Sequence, residues 1–377
     1  MSVDAQVAQP GAEPETIRKG GTSTLKRVAK YTGARVVMLF VTVVIAVFLT
    51  IMIANMGGYV DQIMRGQIRE NLNAQLMNDE NFMQLDPSQK QAYVDNQIAM
   101  EEKRLGLDKP FVVRATKYMV NALTLKLGRA QLMTSDTGSK EVKLIILDRL
   151  PPTLLLMGTS NMFLFFGSVF MGMVLSRQYG SWIDKLMIAL SPTSSAPSWF
   201  YGLFFILIFA AIFRILPFGG MIDSPVPDTK LGYYLSVGKH LIMPASALFI
   251  SQFFVSVYNY RTFFLIYSSE DYVEMARAKG LPDREIERRY ILRPTLPTII
   301  TNFSLLVIAL WTGAILTEGV FNWPGLGQTY FQAIGLFDTP VIVGLTILYA
   351  YLLAFTVFML DFVYALVDPR VSIGEGN

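Results

Sequence analysis

The chain has 377 residues, 52% of them apolar and only 16% charged, with a formal charge of +3 and a positive mean hydropathy. A soluble domain carries nearer a quarter charged residues, so apolar runs of membrane-crossing length must explain the deficit. The small net charge gives no footprint for nucleic acid, and the lack of cysteine beside a single histidine, His240, excludes disulfides, thiolate metal sites and multi-histidine metal sites.

In chain order, residues 1–35 read as an N-terminal tail whose first part, rich in Ala, Gln, Pro, Gly and Glu, is expected to be disordered. No small-residue cleavage site follows the first apolar run, so no cleavable signal is expected. That run, Val36–Ala54, is the first of six stretches free of charge for about the length a helix needs to cross a bilayer. The others are Thr153–Leu175, Ser191–Phe213, Leu241–Tyr260, Thr295–Thr317 and Thr339–Leu360. Backbone amides in hydrocarbon must be satisfied within the segment, so these are helices. Pro192 and Pro197 make the start of the third irregular, with the regular helix beginning near Pro197.

Between the first and second spans lies a long polar insertion, 55–152. Asp86-Pro87 is an N-cap followed by proline at the first helical position, and Leu105-Gly106 is a stop. A second amphipathic stretch covers Pro110–Leu127, and Thr134–Lys140 reads as a mobile tip. The insertion is therefore expected to be a small helical cap.

Orientation follows from Lys and Arg in the short flanks. Lys26, Arg27, Lys30, Arg35, Arg177, Lys185, Arg261, six basic residues within 270–297 and Arg370 make fourteen on one side, against Arg214, Lys230 and Lys239 on the other. Both termini, including a C-terminal tail at 371–377, and the 270–297 loop are expected in the cytoplasm, with 55–152 outside.

The loop, EDYVEMARAKGLPDREIERRYILRPTLP, balances six acidic against six basic residues. It fits two short helices, one over Glu270–Lys279 stopped by Gly280 and one opened by Pro282, with Asp283 and Glu285 near its positive end and Arg288 and Arg289 near its negative end. Val273, Ala276 and Ala278 offer a small-residue surface for another protein. Read by its residues alone, the loop is either a docking element for a soluble partner or a solvated connector whose charges keep it out of lipid.

Polar residues within spans either bond between helices or line an aqueous path. The candidates are Asn161, Ser246, Gln252, Asn259, Asn302 and Glu318, with Ser160, Ser251 and Thr312 beside them. Ser246, Gln252 and Asn259 are expected to share a stripe. Glu318 either holds a backbone amide near Asn322–Gly327 or gates, and Phe321–Phe337 reads as a re-entrant loop. Phe163, Phe165, Phe166 and Phe170 read as lipid-facing and packing surface, and Arg261 snorkels. Ser160 with His240 raises an intramembrane protease, but nothing in the sequence orients the histidine or builds an oxyanion hole. No phosphate loop is present: Gly232 to Gly238-Lys239-His240 has the wrong spacing and the wrong last residue.

Glu274-Met275-Ala276, three residues, Gly280, nine residues, then Tyr290-Ile291-Leu292 resembles the cytoplasmic EAA signature of permease subunits in ATP-binding-cassette importers. Tyr272-Val273 followed by Ala276-Arg277-Ala278-Lys279-Gly280-Leu281 is similar to the form found in oligopeptide and dipeptide permeases. The resemblance extends to Leu105-Gly106-Leu107-Asp108-Lys109-Pro110, Arg149-Leu150-Pro151-Pro152-Thr153, His240-Leu241-Ile242-Met243-Pro244, Glu318 with Pro324-Gly325-Leu326-Gly327, and Asp361 through Tyr364 to Asp368-Pro369-Arg370. Three features depart from the pattern: Met275 replaces the first Ala of the signature, Pro294 follows Arg293 where Asn is usual, and Tyr59–Lys103 is long.

The resemblance implies an all-α integral membrane protein of six transmembrane helices, with a permease core at 153–370. Tyr272, Glu274, Ala276, Arg277, Ala278, Lys279, Gly280 and Leu281 would couple to a cytoplasmic ATPase. The chain would be a non-catalytic subunit holding no cofactor, with ATP and magnesium bound by two partner ATPases. Its other partners would be a second homologous permease, an extracytoplasmic substrate-binding protein and membrane lipid, in a prokaryotic inner membrane. The implied cargo is peptide, with oligosaccharides or nickel chelates as the alternative for the same machinery. An ion-coupled transporter or a membrane scaffold is the reading from a different class. The former should bury acids at mid-span, whereas Glu318 and Asp361 lie at span ends.

Overall fold

The computed structural model describes residues 21–55, 58–76, 82, 86–310 and 314–367. The tail at 1–20, Thr312, the Asp368-Pro369-Arg370 motif and the C-terminal tail at 371–377 lie outside them. The described residues are helical nearly throughout, with one isolated bridge between Arg129 and Glu141.

Helix α1, Gly21–Asn55, begins well before its apolar run. Three cap helices follow: α2 (Tyr59–Leu76), α3 (Pro87–Leu105) and α4 (Phe111–Leu123). The boundaries of α3 are those its sequence announces. Asp86 is the N-cap, its N–H donating to Gln89 Oε1 at 3.4 Å, Pro87 opens the helix, and Gly106 ends it at φ 78°. Helix α2 lies outside the sequence-based expectation; its Ile68 is buried with Ile98 and Leu107, and Met64, Leu72 and Val94 pack around them.

The core is a pair of long helices, α5 (Val142–Arg177) and α8 (Lys230–Ser268), each over about 50 Å by the rise per residue and longer than the expected spans. They pack tightly at Gly172, where a Cβ would lie 2.6 Å from Tyr260 Cβ and 2.8 Å from the Arg261 backbone nitrogen. On the other flank α14 (Thr339–Val367) packs against α1 and α5. A Cβ at Gly344 would lie 2.6 Å from Val142 Cγ1.

Among the described residues, four helices are long and apolar enough to cross a membrane: Thr32–Ile53, Val142–Arg177, Lys230–Ser268 and Thr339–Leu360. The expected third span is bent. Helix α6 (Trp182–Leu190) and its following turn meet α7 (Ser198–Phe205), which continues as a π-turn over Ile206–Ile212, at 100°. Pro197 caps α7 with extended backbone, the start that its proline predicts. The expected fifth span is divided between α11 (Arg293–Ala309) and α12 (Ile315–Val320).

Residues 321–337 fold onto the cap end of the core rather than standing apart: Phe321, Trp323 and Leu326 are buried, and α13 (Leu326–Gly335) follows. The expected mobile tip at 134–140 is a closed turn. Ser135 N–H reaches Ser139 O at 2.8 Å, Asp136 pairs with Arg149, and Asp136 N–H reaches Asp148 Oδ2 at 2.9 Å. The segment leading into it is held by the buried carboxylate of Asp338, which accepts from the amides of Gln131, Leu132 and Met133 at 2.8–3.1 Å. A partner some two hundred residues away leaves no mark on the local sequence.

Candidate functional site

At the end of the bundle opposite the cap, residues 270–293 fold into a small clasp. Helix α9 (Asp271–Ala278) ends at Gly280, whose φ of 74° turns the chain back. Gly280 N–H donates to Arg277 O and Leu281 N–H to Ala276 O, closing the last turn. Pro282 then caps α10 (Asp283–Ile286), with Asp283 and Glu285 in its first turn.

Val273, Ala276 and Ile286 are buried together, with Leu281, Tyr290 and Ile291 packed around them. This corrects the expected small-residue docking surface: Val273 and Ala276 hold the two helices to each other, and only Ala278 of the three faces out. The outward face is formed by Tyr272, Glu274, Met275, Arg277, Ala278 and Lys279.

The second loop helix does not end before the next span. From α10 a π-turn over Glu287–Leu292 runs into α11 with helical backbone at every junction. Pro294 and Pro297 lack amide hydrogens there, and between them Thr295 Oγ1 donates back to Ile291 O and Leu292 O. The clasp is thus rigidly continuous with α11, and Arg177 at the end of α5 pairs with Glu287 in the π-turn.

Beside the clasp, Arg261 does not snorkel. It is buried and forms a two-pronged pair with buried Asp184, its terminal nitrogen 2.7 Å from Asp184 Oδ2. Asp184 also accepts from Gly180 N–H at 3.0 Å, so one carboxylate fixes α6, the turn before it and the end of α8. The charge pattern of the sequence offers no pairing between positions 77 apart.

The span residues fall into three groups. Ser246 lines a cavity of about 360 Å³ with Ser160 between α5 and α8. Asn259 and Asn302 line a second of about 360 Å³ with Ser256, Tyr260 and Phe263 between α8 and α11. At 3.6 residues per turn, Ser246 lies about 220° around α8 from Asn259, while Gln252 and Asn259 share a face to within about 20°. The expected three-residue stripe is therefore a two-residue one, with Gln252, Asn259 and Asn302 all exposed on the single chain. Asn161 is half-buried, and its Nδ2 has no partner among the described residues.

Glu318 is fully buried in a knot that joins α5, α12 and α13. Oε1 accepts from Thr153 Oγ1 at 3.0 Å and Oε2 from Gln328 N–H at 2.9 Å; Thr153 in turn accepts from Leu326 N–H at 2.7 Å. Trp323 donates to Pro152 O at 2.9 Å beside it. In this conformation the Glu318 carboxylate is buried and holds a backbone amide, that of Gln328.

Ser160 and His240 are not a pair. Ser160 donates to Leu156 O, and His240 Nδ1 donates to Ser236 O at 2.9 Å, with Asp223 Oδ1 3.9 Å from its other nitrogen. Of the polyphenylalanine face, Phe163, Phe166 and Phe170 are exposed, while Phe165 is buried against Phe264 and Ile299.

Residues 167–373 match the family described as "Binding-protein-dependent transport system inner membrane component". A di/tripeptide transport system permease protein of Pseudomonas aeruginosa is 32% identical over 74% of this chain and 86% of its own. A probable D,D-dipeptide transport system permease protein of Escherichia coli K12 is 30% identical over 73% and 84%. Among solved structures, an inward-facing form of the MetNI methionine ABC transporter matches 61% of this chain and 99% of its own, at 17% identity and a TM-score of 0.46.

Proposed function

The chain belongs to the family of binding-protein-dependent transport system inner membrane components, and from that premise we propose that it forms half of the translocation path of an ATP-driven peptide importer. The peptide cargo follows the relatives, whose names specify dipeptides and tripeptides.

The observation that carries the reading is the clasp at 270–293. It is a miniature core with a charged, exposed outer face, joined to α11 by unbroken helix and to α5 by an ion pair. Such an element transmits force. A partner seated on Tyr272, Glu274, Arg277, Ala278 and Lys279 moves α11 with it, because Ala276, Gly280 and Leu281 hold the fold beneath. The partner is a cytoplasmic ATPase, one of two in the complex, which binds the ATP and magnesium; this chain is not itself catalytic.

The same reading gives six spans in the inner membrane, with the bent α6–α7 pair and the α11–α12 pair each counted as one. Both termini and the clasp lie in the cytoplasm and the cap at 55–152 lies outside, where it meets a substrate-binding protein. A second, homologous permease closes the path over Gln252, Asn259 and Asn302.

The test is made in the reconstituted complex. A crosslinker at Lys279→Cys should capture the ATPase and not the binding protein. Glu274→Lys should abolish peptide uptake while the subunit still reaches the membrane. Undiminished uptake per ATP hydrolysed by the Glu274→Lys complex would refute the coupling role.

A further inference from the structure

Where α1, α4 and α14 converge at the cap end, a cavity of about 470 Å³ opens. This falls within the range of roughly 300–1,000 Å³ usual for small-molecule sites. Its lining is mostly apolar, with Ile51, Ala122, Val343 and Ile347, and it also includes Lys126 and Arg129 beside the polar Asn121, Gln131 and Thr339. Ile51 sits in the last turn of the apolar run Thr32–Ile53, and Val343 and Ile347 in the first turns of Thr339–Leu360. The mouth therefore lies where the membrane meets water, whichever side the cap faces.

Lys126 and Arg129 are exposed, and among the described residues neither enters an ion pair. The stretch that bears them is nonetheless fixed. Lys126 N–H reaches Asn121 O at 2.8 Å, Val142 N–H reaches Gly128 O at 3.2 Å, Ala130 N–H reaches Lys140 O at 2.7 Å, and Asp338 holds the next three amides. Two exposed cations thus extend from a backbone fixed beside a mostly apolar slot between two spans. Apolar walls alone would accept any hydrocarbon, whereas the paired cations select a negative headgroup.

We propose that this cavity is a lipid site, taking an acyl chain of an anionic phospholipid between α1 and α14 with its phosphate against Lys126 and Arg129. The site does not depend on the transport reading, only on α1 and α14 crossing the membrane.

The assembled complex, placed in nanodiscs of equal phosphatidylglycerol and phosphatidylcholine, is stripped with detergent and its retained lipid read by native mass spectrometry. Wild type and K126R/R129K should retain phosphatidylglycerol in preference. K126Q/R129Q, altered only at exposed side chains, should hold it roughly thirtyfold less tightly, from about a fivefold contribution per surface cation. A phosphatidylglycerol with a photoactivatable acyl chain should label the peptides around Ile51 and Val343. Equal retention by K126Q/R129Q, no preference between the two lipids in wild type, or labelling elsewhere because the second permease fills the cavity would each overturn the proposal.

Discussion

Buried polar residues in this molecule act as fasteners between elements distant in sequence. In the Asp184→Ala variant the Arg261 charge would be left buried and unpaired, which costs roughly 3 kcal/mol, more than the intact pair contributes. The thermal midpoint of the detergent-solubilised protein should fall clearly, and D184A/R261M should recover most of the loss. For Glu318 the two sequence-level alternatives separate by experiment. Glu318→Gln keeps an acceptor for Gln328 N–H, and the Thr153 hydroxyl, which accepts as well as donates, takes the new amide N–H in place of its own bond to the carboxylate, so the fold should hold. Glu318→Ala strands two buried donors, at about 1–3 kcal/mol each. Limited proteolysis within 314–337 should therefore rise for Ala and not for Gln; a gating acid would instead lose uptake in Gln with proteolysis unchanged.

Elements with their own punctuation were legible. Helix α3 begins and ends at the residues its cap and glycine mark, and α9 ends at Gly280 because only a left-handed residue turns the chain there. Elements stabilised by a neighbour were not. Helix α2 exists against α3, the expected mobile tip is a turn closed on Asp148 and Arg149, and the clasp's second helix runs on into α11 through a π-turn. The α5–α8 contact is of the same kind: nothing local to Gly172 distinguishes it from other span glycines, yet a side chain there would meet backbone. Gly172→Leu should cost roughly 1–3 kcal/mol by forcing the two helices apart, read as a lowered unfolding midpoint, whereas Gly158→Leu, where a Cβ meets nothing within 4 Å, should cost less.

At the scale of the whole molecule, the long apolar helices gather into a bundle with a polar cap at one end and a charged clasp at the other. The proposed topology is directly testable because the chain has no cysteine to give background labelling. An impermeant thiol reagent added outside intact cells should modify Thr137→Cys on the cap and leave Lys279→Cys on the clasp unmodified until the membrane is opened. The reverse pattern would invert the assignment of the two faces. Composition and apolar run length alone determined that this is an all-helical membrane protein, and the ordered loop residues from Tyr272 to Leu281 announced its family, since both signals are written in contiguous sequence. Only the tertiary structure decided that Val273 and Ala276 face inward, that Arg261 is buried on Asp184, that Glu318 is a tied knot, and that Ser246 stands apart from Gln252 and Asn259. Each of those depends on which distant helix a side chain meets, and burial and pairing are properties of that meeting rather than of the residue.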